Sequence, residues 1–400
     1  MQPLRGLRVV DLSQNLAGPS CGQILADLGA DVIKVEPLEG DAARAWGPPF
    51  WGPDSALFHV ANRGKRSLAL DLKDAEGMAA LRRLVTSADV FLQAFRAGVV
   101  ERLGLDYGTL RELKPDLIYV TVSAFGPEGP RSRDPGYDPL MQAYSGLMSM
   151  TGQPGSPPSR VGASVIDAGT GMWGAIGVLA ALRERDHTGE GTHVTVSLLD
   201  TALGLVSYKL TGYLADGRVP GPMGSAFGSI APYESFPTSD GSVMIAAAND
   251  GIFQRLCIAL QLPDLAQDAR YQTNPSRVAH REELVQAIAT HTRGLSSIAL
   301  MARLKAHSVP FSPIHDMAQV ATDEQVAATG MLRTPGHPRV EGYRDIAFPV
   351  RFDGERPAAE GAPPLIGEGG RALLEELGYT SAEIDALLER RVLHVPNGTD

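Results

Sequence analysis

A single aspartate, Asp167, is the strongest candidate for covalent chemistry in this sequence. It lies where an apolar, strand-like run over residues 160–166 meets a predicted helix that opens with small residues, 168–174. The partial positive charge of a helix N-terminus favours an ionised carboxylate, and glycines let another molecule approach it closely. This setting suits a carboxylate nucleophile. Aspartate is also a common helix cap, so the residue alone does not decide between the two roles.

Basic and polar residues follow several predicted strands, where they could hold an anionic ligand. They are Asn62, Arg63, Gly64, Lys65, Arg66, Lys73, Arg96 and Arg102. Such residues near helix N-termini bind phosphates, but the same residues on a solvated face would give the same pattern. Tyr137 projects from a loop rich in proline and glycine, where it either packs or lines a cavity.

No familiar nucleotide, hydrolase or metal motif accompanies these residues. The turn after the first predicted strand, 13–19, lacks the GxGxxG pattern that binds the pyrophosphate of NAD or FAD. The P-loop, GxSxG and kinase motifs are absent from the sequence. Nine histidines are dispersed, and Cys21 and Cys257 form no CxxC pair, so neither a metal site nor a disulfide framework is predicted.

Composition narrows the class of protein further. The 400 residues exceed the usual size of one hydrophobic core, which favours two domains. The net charge is −10 and the basic residues are scattered, which argues against a nucleic-acid surface. Neither an N-terminal signal-like segment nor an uninterrupted run of eighteen apolar residues is present. We therefore expect no membrane association and a reducing, cytoplasmic location.

Strand-like and helix-like segments alternate in the N-terminal half. The strands are predicted at 7–12, 32–36, 67–72, 90–95 and 117–125, and helices at 20–28, 75–87 and 172–185. This alternation is typical of βαβ units and predicts a Rossmann-like α/β fold with a parallel sheet. Ligands then bind at the carboxyl ends of the strands.

The pattern changes after the long helical stretch predicted at 198–215. We expect residues 1–217 to form the first part of a large α/β domain, and 218–229 to be a linker that carries glycines. Residues 230–325 are predicted to form a smaller α+β domain. The remaining residues, 326–400, then return to complete the large domain with terminal helices, one of which starts at a capping box, Thr380–Glu383.

Together these segments resemble the family III CoA-transferases, which include formyl-CoA transferase and carnitine CoA-transferase, and the related 2-methylacyl-CoA racemases. The resemblance extends over nearly the full chain. It is carried, in the same order along the chain, by Leu4-Arg5-Gly6-Leu7-Arg8-Val9-Val10-Asp11-Leu12, Leu28-Gly29-Ala30-Asp31-Val32-Ile33-Lys34-Val35-Glu36, Asn62-Arg63-Gly64-Lys65-Arg66-Ser67, Arg102-Leu103-Gly104, Gly136-Tyr137-Asp138 and Val165-Ile166-Asp167.

The resemblance implies a catalytic cycle based on Asp167. Its carboxylate would attack an acyl-CoA to give a mixed anhydride and free CoA thiolate, and the thiolate would then convert the anhydride into an aspartyl-CoA thioester. An acceptor carboxylate would repeat these steps in reverse and leave as the new acyl-CoA. It also implies CoA-binding roles for Leu70, Lys73, Phe95 and Arg102, with Tyr137 lining the cavity. Backbone N–H groups near Gly169 are expected to stabilise the oxyanion.

The resemblance also bears on cofactors and assembly. Acyl-CoA and a small carboxylic acid would be substrates, and no metal or tightly bound cofactor would be required. An intertwined, ring-like homodimer is implied, as is a mobile loop at 224–228 that excludes water from the intermediate.

Departures from the family pattern leave the acid specificity open. Family members commonly have Asn-Phe-Arg-Pro-Gly where this chain has Ala94-Phe95-Arg96-Ala97-Gly98, and Gly-Asn-x-His-Pro where it has 224–228. A racemase would need two proton-transfer groups, and Tyr137 stands where that branch has histidine. A CoA-binding protein without activity is the remaining alternative. Basic side chains could pair with the second carboxylate of succinate or a related dicarboxylate.

Overall fold

The computed structural model describes residues 1–357 and 361–396. The chain folds into two compact units. The first contains Met1–Leu147, Val161–Asp216 and the described residues of Gln325–Asp400, and the second contains Met148–Arg160 and Gly217–Glu324. Residues 148–160, which the sequence assigned to the large domain, thus belong to the second unit.

The first unit is built on a parallel sheet, and short strand pairs accompany it. The strands of the described chain are β1 Arg8–Asp11, β2 Asp31–Glu36, β3 Phe50–Trp51, β4 Asp54–Ser55, β5 Arg66–Leu70, β6 Val90–Gln93, β7 Ile118–Ser123, β8 His193–Ser197, β9 Tyr233–Pro237, β10 Ser242–Ala246, β11 Phe311–Pro313, β12 Leu332–Arg333, β13 Asp345–Ile346 and β14 Leu393–His394. Within the described residues the main sheet has the order β14-β5-β2-β1-β6-β7-β8. Its strands run parallel except β14, which pairs antiparallel with β5.

Helices cover both faces of this sheet or belong to the second unit. They are α1 Ala17–Asp27, α2 Ala56–Asn62, α3 Ala75–Thr86, α4 Val99–Leu103, α5 Tyr107–Leu113, α6 Asp138–Tyr144, α7 Val165–Thr188, α8 Leu198–Leu205, α9 Ser207–Asp216, α10 Asp250–Leu260, α11 Pro263–Gln267, α12 Asn274–Ala279, α13 Arg281–Thr292, α14 Ser297–Ala306, α15 Met317–Thr322, α16 Glu324–Thr329, α17 Gly370–Glu376 and α18 Ser381–Glu389. Short 3-10 turns occupy Ala42–Ala45, Met148–Met150 and Ala269–Tyr271.

Successive residues along each strand point to opposite faces of the sheet, so they belong to two separate hydrophobic cores. Val9 belongs to a core shared with α1 and α7, whereas its neighbour Val10 belongs to a core shared with α3, α17 and α18. The pairing of β1 with β2 places Val9 opposite Val32 and Val10 opposite Ile33, which sorts both strands in the same way. The α/β class predicted from the sequence is confirmed.

The second unit contains an antiparallel sheet in the order β11-β10-β9, with helices packed against it. Its core joins Val243 and Ile245 of β10 to Phe253 of α10, Leu284 of α13 and Leu300 of α14. This arrangement is α+β in character, as the change of pattern after residue 230 indicated.

Two local predictions were wrong. Residues 160–164 form neither helix nor strand, and α7 already begins at Val165. The amide of Val161 donates to Gln142, and those of Ile166 and Asp167 donate to Asp138, so side chains of α6 replace a neighbouring strand. The single helix predicted at 198–215 is divided into α8 and α9 at Val206. The capping box at Thr380 and Glu383 is confirmed.

Helix α7 is long and apolar enough, by length and composition, to cross a membrane. The absence of an uninterrupted apolar run had not led us to expect such a helix. Core helices of globular α/β proteins have the same composition, and one side of α7 packs against α1 and the sheet through Ile166, Ala175 and Val178.

Candidate active site

Asp167 lies in the first turn of α7, where the helix leaves backbone N–H groups without helical partners. Asp138, at the start of α6, supplies the missing acceptor. Its Oδ2 accepts hydrogen bonds from the amides of Ile166 at 2.8 Å and Asp167 at 3.2 Å. The Asp138 side chain is itself buried and bonded to Gln142. Asp167 is therefore not the cap of its helix, because Asp138 has that role.

The surroundings of Asp167 make its carboxyl group difficult to ionise. Burial, and then the negative charge of Asp138, raise the pKa of Asp167 to about 7. Both effects outweigh the helix N-terminus, which we expected to favour the charged form. A carboxylate that is destabilised near neutral pH is more basic and more nucleophilic than an ordinary surface aspartate, and such pKa shifts are concentrated at functional sites.

Close helix packing fixes the position of this turn. A Cβ atom on Gly171 would lie 2.7 Å from Cβ of Ser20, and one on Gly174 would lie 3.1 Å from Sγ of Cys21, so both glycines allow α7 to approach α1. On the other side, Thr170 Oγ1 donates to Thr201 Oγ1 of α8 at 2.9 Å. The turn that bears Asp167 is thus held between α1, α6 and α8.

Asp167 lines a cavity of about 290 Å³ at the carboxyl ends of β1, β6 and β7. Phe95 and Tyr137 line the same cavity, so the structure brings three of the predicted site residues together. The other residues that matter for chemistry are polar, charged or aromatic: Gln14, Asn15, Trp46, Arg96, Ser132, Arg133 and Asp134. This is the edge at which a parallel sheet binds ligands.

Aromatic side chains form part of the cavity wall. The rings of Trp46 and Tyr137 meet edge to face with centroids 6.4 Å apart, and both remain about half exposed. Exposed aromatic rings beside a reactive carboxylate are suited to contact a substrate that has both apolar and polar parts. Trp46, Gln14 and Asp138 were missed as site residues, although Gln14 lies in the turn that follows β1 and that position was a usable signal.

Known proteins are similar to this chain over most of its length. The model of CoA-transferase family III matches residues 4–369. The chain belongs to CoA-transferase family III. It is 41% identical to succinate–glutarate CoA-transferase of Agrobacterium fabrum, over 94% of this chain and 96% of that protein. It is 40% identical to succinyl-CoA:mesaconate CoA-transferase of Haloarcula hispanica, over 94% and 97%.

A solved structure is also similar to this chain over most of its length. A CaiB/BaiF family protein from Brucella suis matches with a TM-score of 0.85 and 40% identity, covering 94% of this chain and 99% of that one. The protein is an enzyme that transfers CoA between an acyl-CoA and a carboxylic acid. The transferase predicted from the sequence is confirmed over the racemase and the inactive binding protein.

The remaining predicted CoA residues of this transferase lie outside the cavity. Leu70 ends β5, and its side chain is buried in the core opposite Leu393 of β14, so only its backbone could reach CoA. Lys73 follows β5 and Arg102 lies on α4, which follows β6; both side chains are exposed. Neither has a side-chain ion pair or hydrogen bond within residues 1–357 and 361–396.

The basic cluster after β5 divides into two kinds of residue. Arg63 pairs with Asp27, Lys65 with Asp11 and Arg66 with Asp31 and Glu376, which makes them internal structural partners. Lys73 and Arg102 keep cationic groups that no described residue pairs with. The sequence left phosphate binding and a solvated face open, and it did not anticipate that Arg63 and Lys65 would be buried.

The oxyanion prediction at Gly169 was wrong. Ala168 N already donates to Ser164 O at 3.1 Å, so Gly169 lies beyond the free first turn, in the hydrogen-bonded part of α7. Gln14 is a better source of a donor, because its side chain lines the cavity and has no hydrogen bond among the described residues.

The glycine-bearing loop at 224–228 belongs to the second unit. Gly224 has φ of 62°, and its amide donates to Gly152 O at 2.8 Å. Ser225 Oγ accepts from the amide of Ser235 at 3.0 Å, and the amide of Phe227 donates to Tyr233 O. The shielding role that the family resemblance implies for this loop stays a prediction.

Metal-ligand clusters of three or more His, Cys, Asp or Glu residues are absent from the part of the chain that the structure describes. Cys21 and Cys257 are free and buried. Burial raises the thiol pKa of Cys21 to about 12 and that of Cys257 to about 11, so neither is suited to act as a thiolate nucleophile.

Proposed function

We propose that this enzyme exchanges CoA between succinyl-CoA and a small dicarboxylic acid such as glutarate, with Asp167 as the nucleophile. The observation that carries the proposal is the carboxyl group of Asp167, with its raised pKa, in a cavity that also holds cationic and aromatic side chains. The two relatives compared above are named for succinyl or succinate exchange with glutarate or mesaconate, which are dicarboxylates.

The proposed reaction proceeds through two types of covalent intermediate. The Asp167 carboxylate attacks the thioester carbon of the donor, and CoA leaves as a thiolate while a mixed anhydride forms. The thiolate then attacks the aspartyl carbonyl carbon, which releases the donor acid and gives an aspartyl-CoA thioester. The acceptor carboxylate attacks that thioester, which gives a second mixed anhydride and releases the CoA thiolate again. The thiolate then attacks the acyl carbonyl carbon of this anhydride to form the new acyl-CoA. Asp167 is regenerated as a carboxylate.

Each step develops negative charge on a carbonyl oxygen close to Asp167. The Gln14 amide is the proposed donor to that oxygen, because it lines the cavity without another partner among the described residues. Trp46 and Tyr137 would hold the acyl chain and limit the approach of water. Four residues follow β5 or β6 in the chain: Lys73, Phe95, Arg96 and Arg102. We assign them to binding the CoA part of the substrate, together with the backbone of Leu70.

We also infer a homodimer in the cytoplasm. Large apolar side chains on α7, α8 and α9 remain exposed in the single chain, which is typical of a surface that another subunit covers. They are Met172, Trp173, Ile176, Leu179, Leu203, Leu205, Tyr208, Leu210, Tyr213 and Leu214. Light scattering on the purified enzyme should give twice the mass of one chain, and a monomer at micromolar concentration would contradict the inference.

The function is tested by mixing purified enzyme with succinyl-CoA and ¹³C-labelled glutarate and following acyl-CoA species by mass spectrometry. We expect labelled glutaryl-CoA to form as succinyl-CoA disappears, and Asp167→Ala to reduce the rate on the order of 10³-fold or more. Binding of CoA to the variant, measured by calorimetry, should be retained. Transfer at the wild-type rate in the variant would refute the role of Asp167, and transfer only to monocarboxylic acids would refute the substrate class.

A further inference from the structure

The charges that line the cavity of Asp167 are unevenly neutralised. Asp134 forms an ion pair with Arg131, a residue of the same loop that does not line the cavity. Arg133 lines the cavity, and its guanidinium group has no ion-pair or hydrogen-bond partner among residues 1–357 and 361–396. The cavity lining thus includes an exposed cation that the described residues leave without a counter-charge.

Arg133 and Asp167 share the cavity but do not neutralise each other. Asp138 is the only charge that contributes to the pKa shift of Asp167 within the described chain, and its effect is to raise that pKa. A guanidinium group in direct contact with Asp167 would have the opposite effect. The separation leaves the nucleophile reactive and leaves the cation available to a part of the substrate that is remote from the reacting carbon.

A second cation, Arg96, also lines the cavity and has no side-chain partner among the described residues, but it belongs to a different loop. Arg96 follows Phe95 in the loop between β6 and α4, the helix that carries Arg102. These are residues assigned above to binding the CoA part of the substrate. Arg133 lies instead in the loop between β7 and α6, which also contains Tyr137 and ends at Asp138, the cap of the catalytic helix. The two arginines are thus attached to different parts of the site.

We propose that Arg133 determines the preference for dicarboxylic acids, by binding the carboxylate at the end of the acyl chain that is not joined to CoA. The inference rests on the proposed function and assigns its substrate class to one residue. An arginine binds a carboxylate through two parallel hydrogen bonds, which fixes orientation as well as charge. A monocarboxylic acid of the same length offers no partner to this group.

The same contact acts on both halves of the reaction. The succinyl group of the donor and the glutarate of the acceptor reach Asp167 in turn, so each places its distal carboxylate at Arg133. Loss of the guanidinium should therefore change the choice of donor and the choice of acceptor in the same direction. A residue that binds CoA would lower the rate with every acyl-CoA alike.

The test compares Arg133→Gln with two matched variants, Arg131→Gln and Arg96→Gln. The measured quantity is the ratio of kcat/KM for glutarate to kcat/KM for valerate, a five-carbon monocarboxylic acid, with succinyl-CoA as donor. The same variants are assayed for the ratio of succinyl-CoA to butyryl-CoA as donors, with glutarate as acceptor.

We expect Arg133→Gln to lower both ratios roughly 10- to 100-fold, the effect of losing a hydrogen-bonded charge contact. Arg133→Lys should keep part of the preference because it keeps the charge. Arg131→Gln should leave both ratios unchanged, since Arg131 does not line the cavity. Arg96→Gln should raise KM for all acyl-CoA substrates without changing either ratio.

The outcomes separate this inference from the proposed function. Ratios in Arg133→Gln within about threefold of wild type would overturn the inference, as would an equal loss with glutarate and valerate. A wild-type enzyme that prefers valerate, or that uses neither acid, would instead contradict the proposed dicarboxylate exchange itself.

Discussion

Two aspartates of the first unit, the buried Asp11 and the partly buried Asp167, have opposite electrostatic surroundings. Burial alone would raise the pKa of Asp11, but the charges of Lys65 and Lys34 and a hydrogen bond from Ser13 hold that pKa below its usual value. Burial also raises the pKa of Asp167, and there the neighbouring charge is another carboxylate, Asp138, so the value reaches about 7. The partner rather than the depth of burial decides the behaviour of each group.

The difference separates a structural carboxylate from the proposed nucleophile. Lys65 Nζ lies 3.0 Å from Asp11 Oδ2, and its other contacts are Pro19 O and Asn62 Oδ1, so this ion pair is closed and fully buried. It links β1 to the loop between α2 and β5 and supports the strand ends at which the cavity opens. Among the described residues Asp167 has no such cation, which suits the covalent role proposed for its carboxylate.

Removal of one partner from the buried pair should have the largest effect on stability. We expect Lys65→Met to lower the free energy of unfolding by about 3–5 kcal/mol, because Asp11 would remain buried without the cation that contacts it. Urea denaturation measures the loss. Arg111→Met, which breaks the exposed pair with Glu190, is the control and should cost at most about 1 kcal/mol. If Lys65→Met lowered the free energy of unfolding no more than the control, the pair of Lys65 and Asp11 would not have the structural role assigned to it.

Asp167 should show the reverse, because ionising it opposes folding. Its folded pKa lies above the ordinary value of 3.8, so the folded protein binds a proton more tightly and stability falls as pH rises from about 4 to about 7. Asp167→Asn does not titrate, and should be more stable than wild type by roughly 1–3 kcal/mol at pH 8. The difference should nearly vanish at pH 4. Equal stability of the two proteins at pH 8 would contradict the assigned environment.

Asp138 offers the smallest and most specific change. Asp138→Asn removes the negative charge beside Asp167 while an amide oxygen can still accept from the α7 backbone. Activity should rise with pH as Asp167 ionises, and in the variant the midpoint of that rise should move to lower pH because the repelling charge is gone. Asp134→Asn, whose charge does not act on Asp167, is the control. A midpoint that is the same in both variants and wild type would show that Asp138 does not control ionisation.

Much of the fold followed from local patterns. The parallel strands, the covering helices and the terminal capping box depend on alternation of apolar residues and on cap chemistry, which are visible in a short window of sequence. The start of α7 was misplaced because Gln142 binds the amide of Val161, before the helix, and Asp138 binds that of Ile166 in its first turn; both partners lie more than fifteen residues away. The division at Val206 also had no signal such as proline.

The candidate site was predicted only in part, because it joins residues that are distant in the sequence. Asp167, Phe95 and Tyr137 were found through family motifs and do share a cavity. Trp46 and Arg133 were missed because nothing local shows that their loops meet at one end of the sheet. The pairing of Lys65 with Asp11 joins residues 54 positions apart, so the sequence could not separate this structural lysine from the exposed Lys73.

The central claim is that Asp167 forms a covalent bond to CoA during each turnover. The most direct measurement is to quench the enzyme rapidly after mixing with succinyl-CoA, trap the activated carboxyl group with hydroxylamine, and locate the modified residue by peptide mass spectrometry. We predict a hydroxamate at position 167 that forms at least as fast as turnover and is absent from Asp167→Asn. An unmodified Asp167 in an enzyme that is turning over, or a hydroxamate at another carboxyl group, would contradict the account.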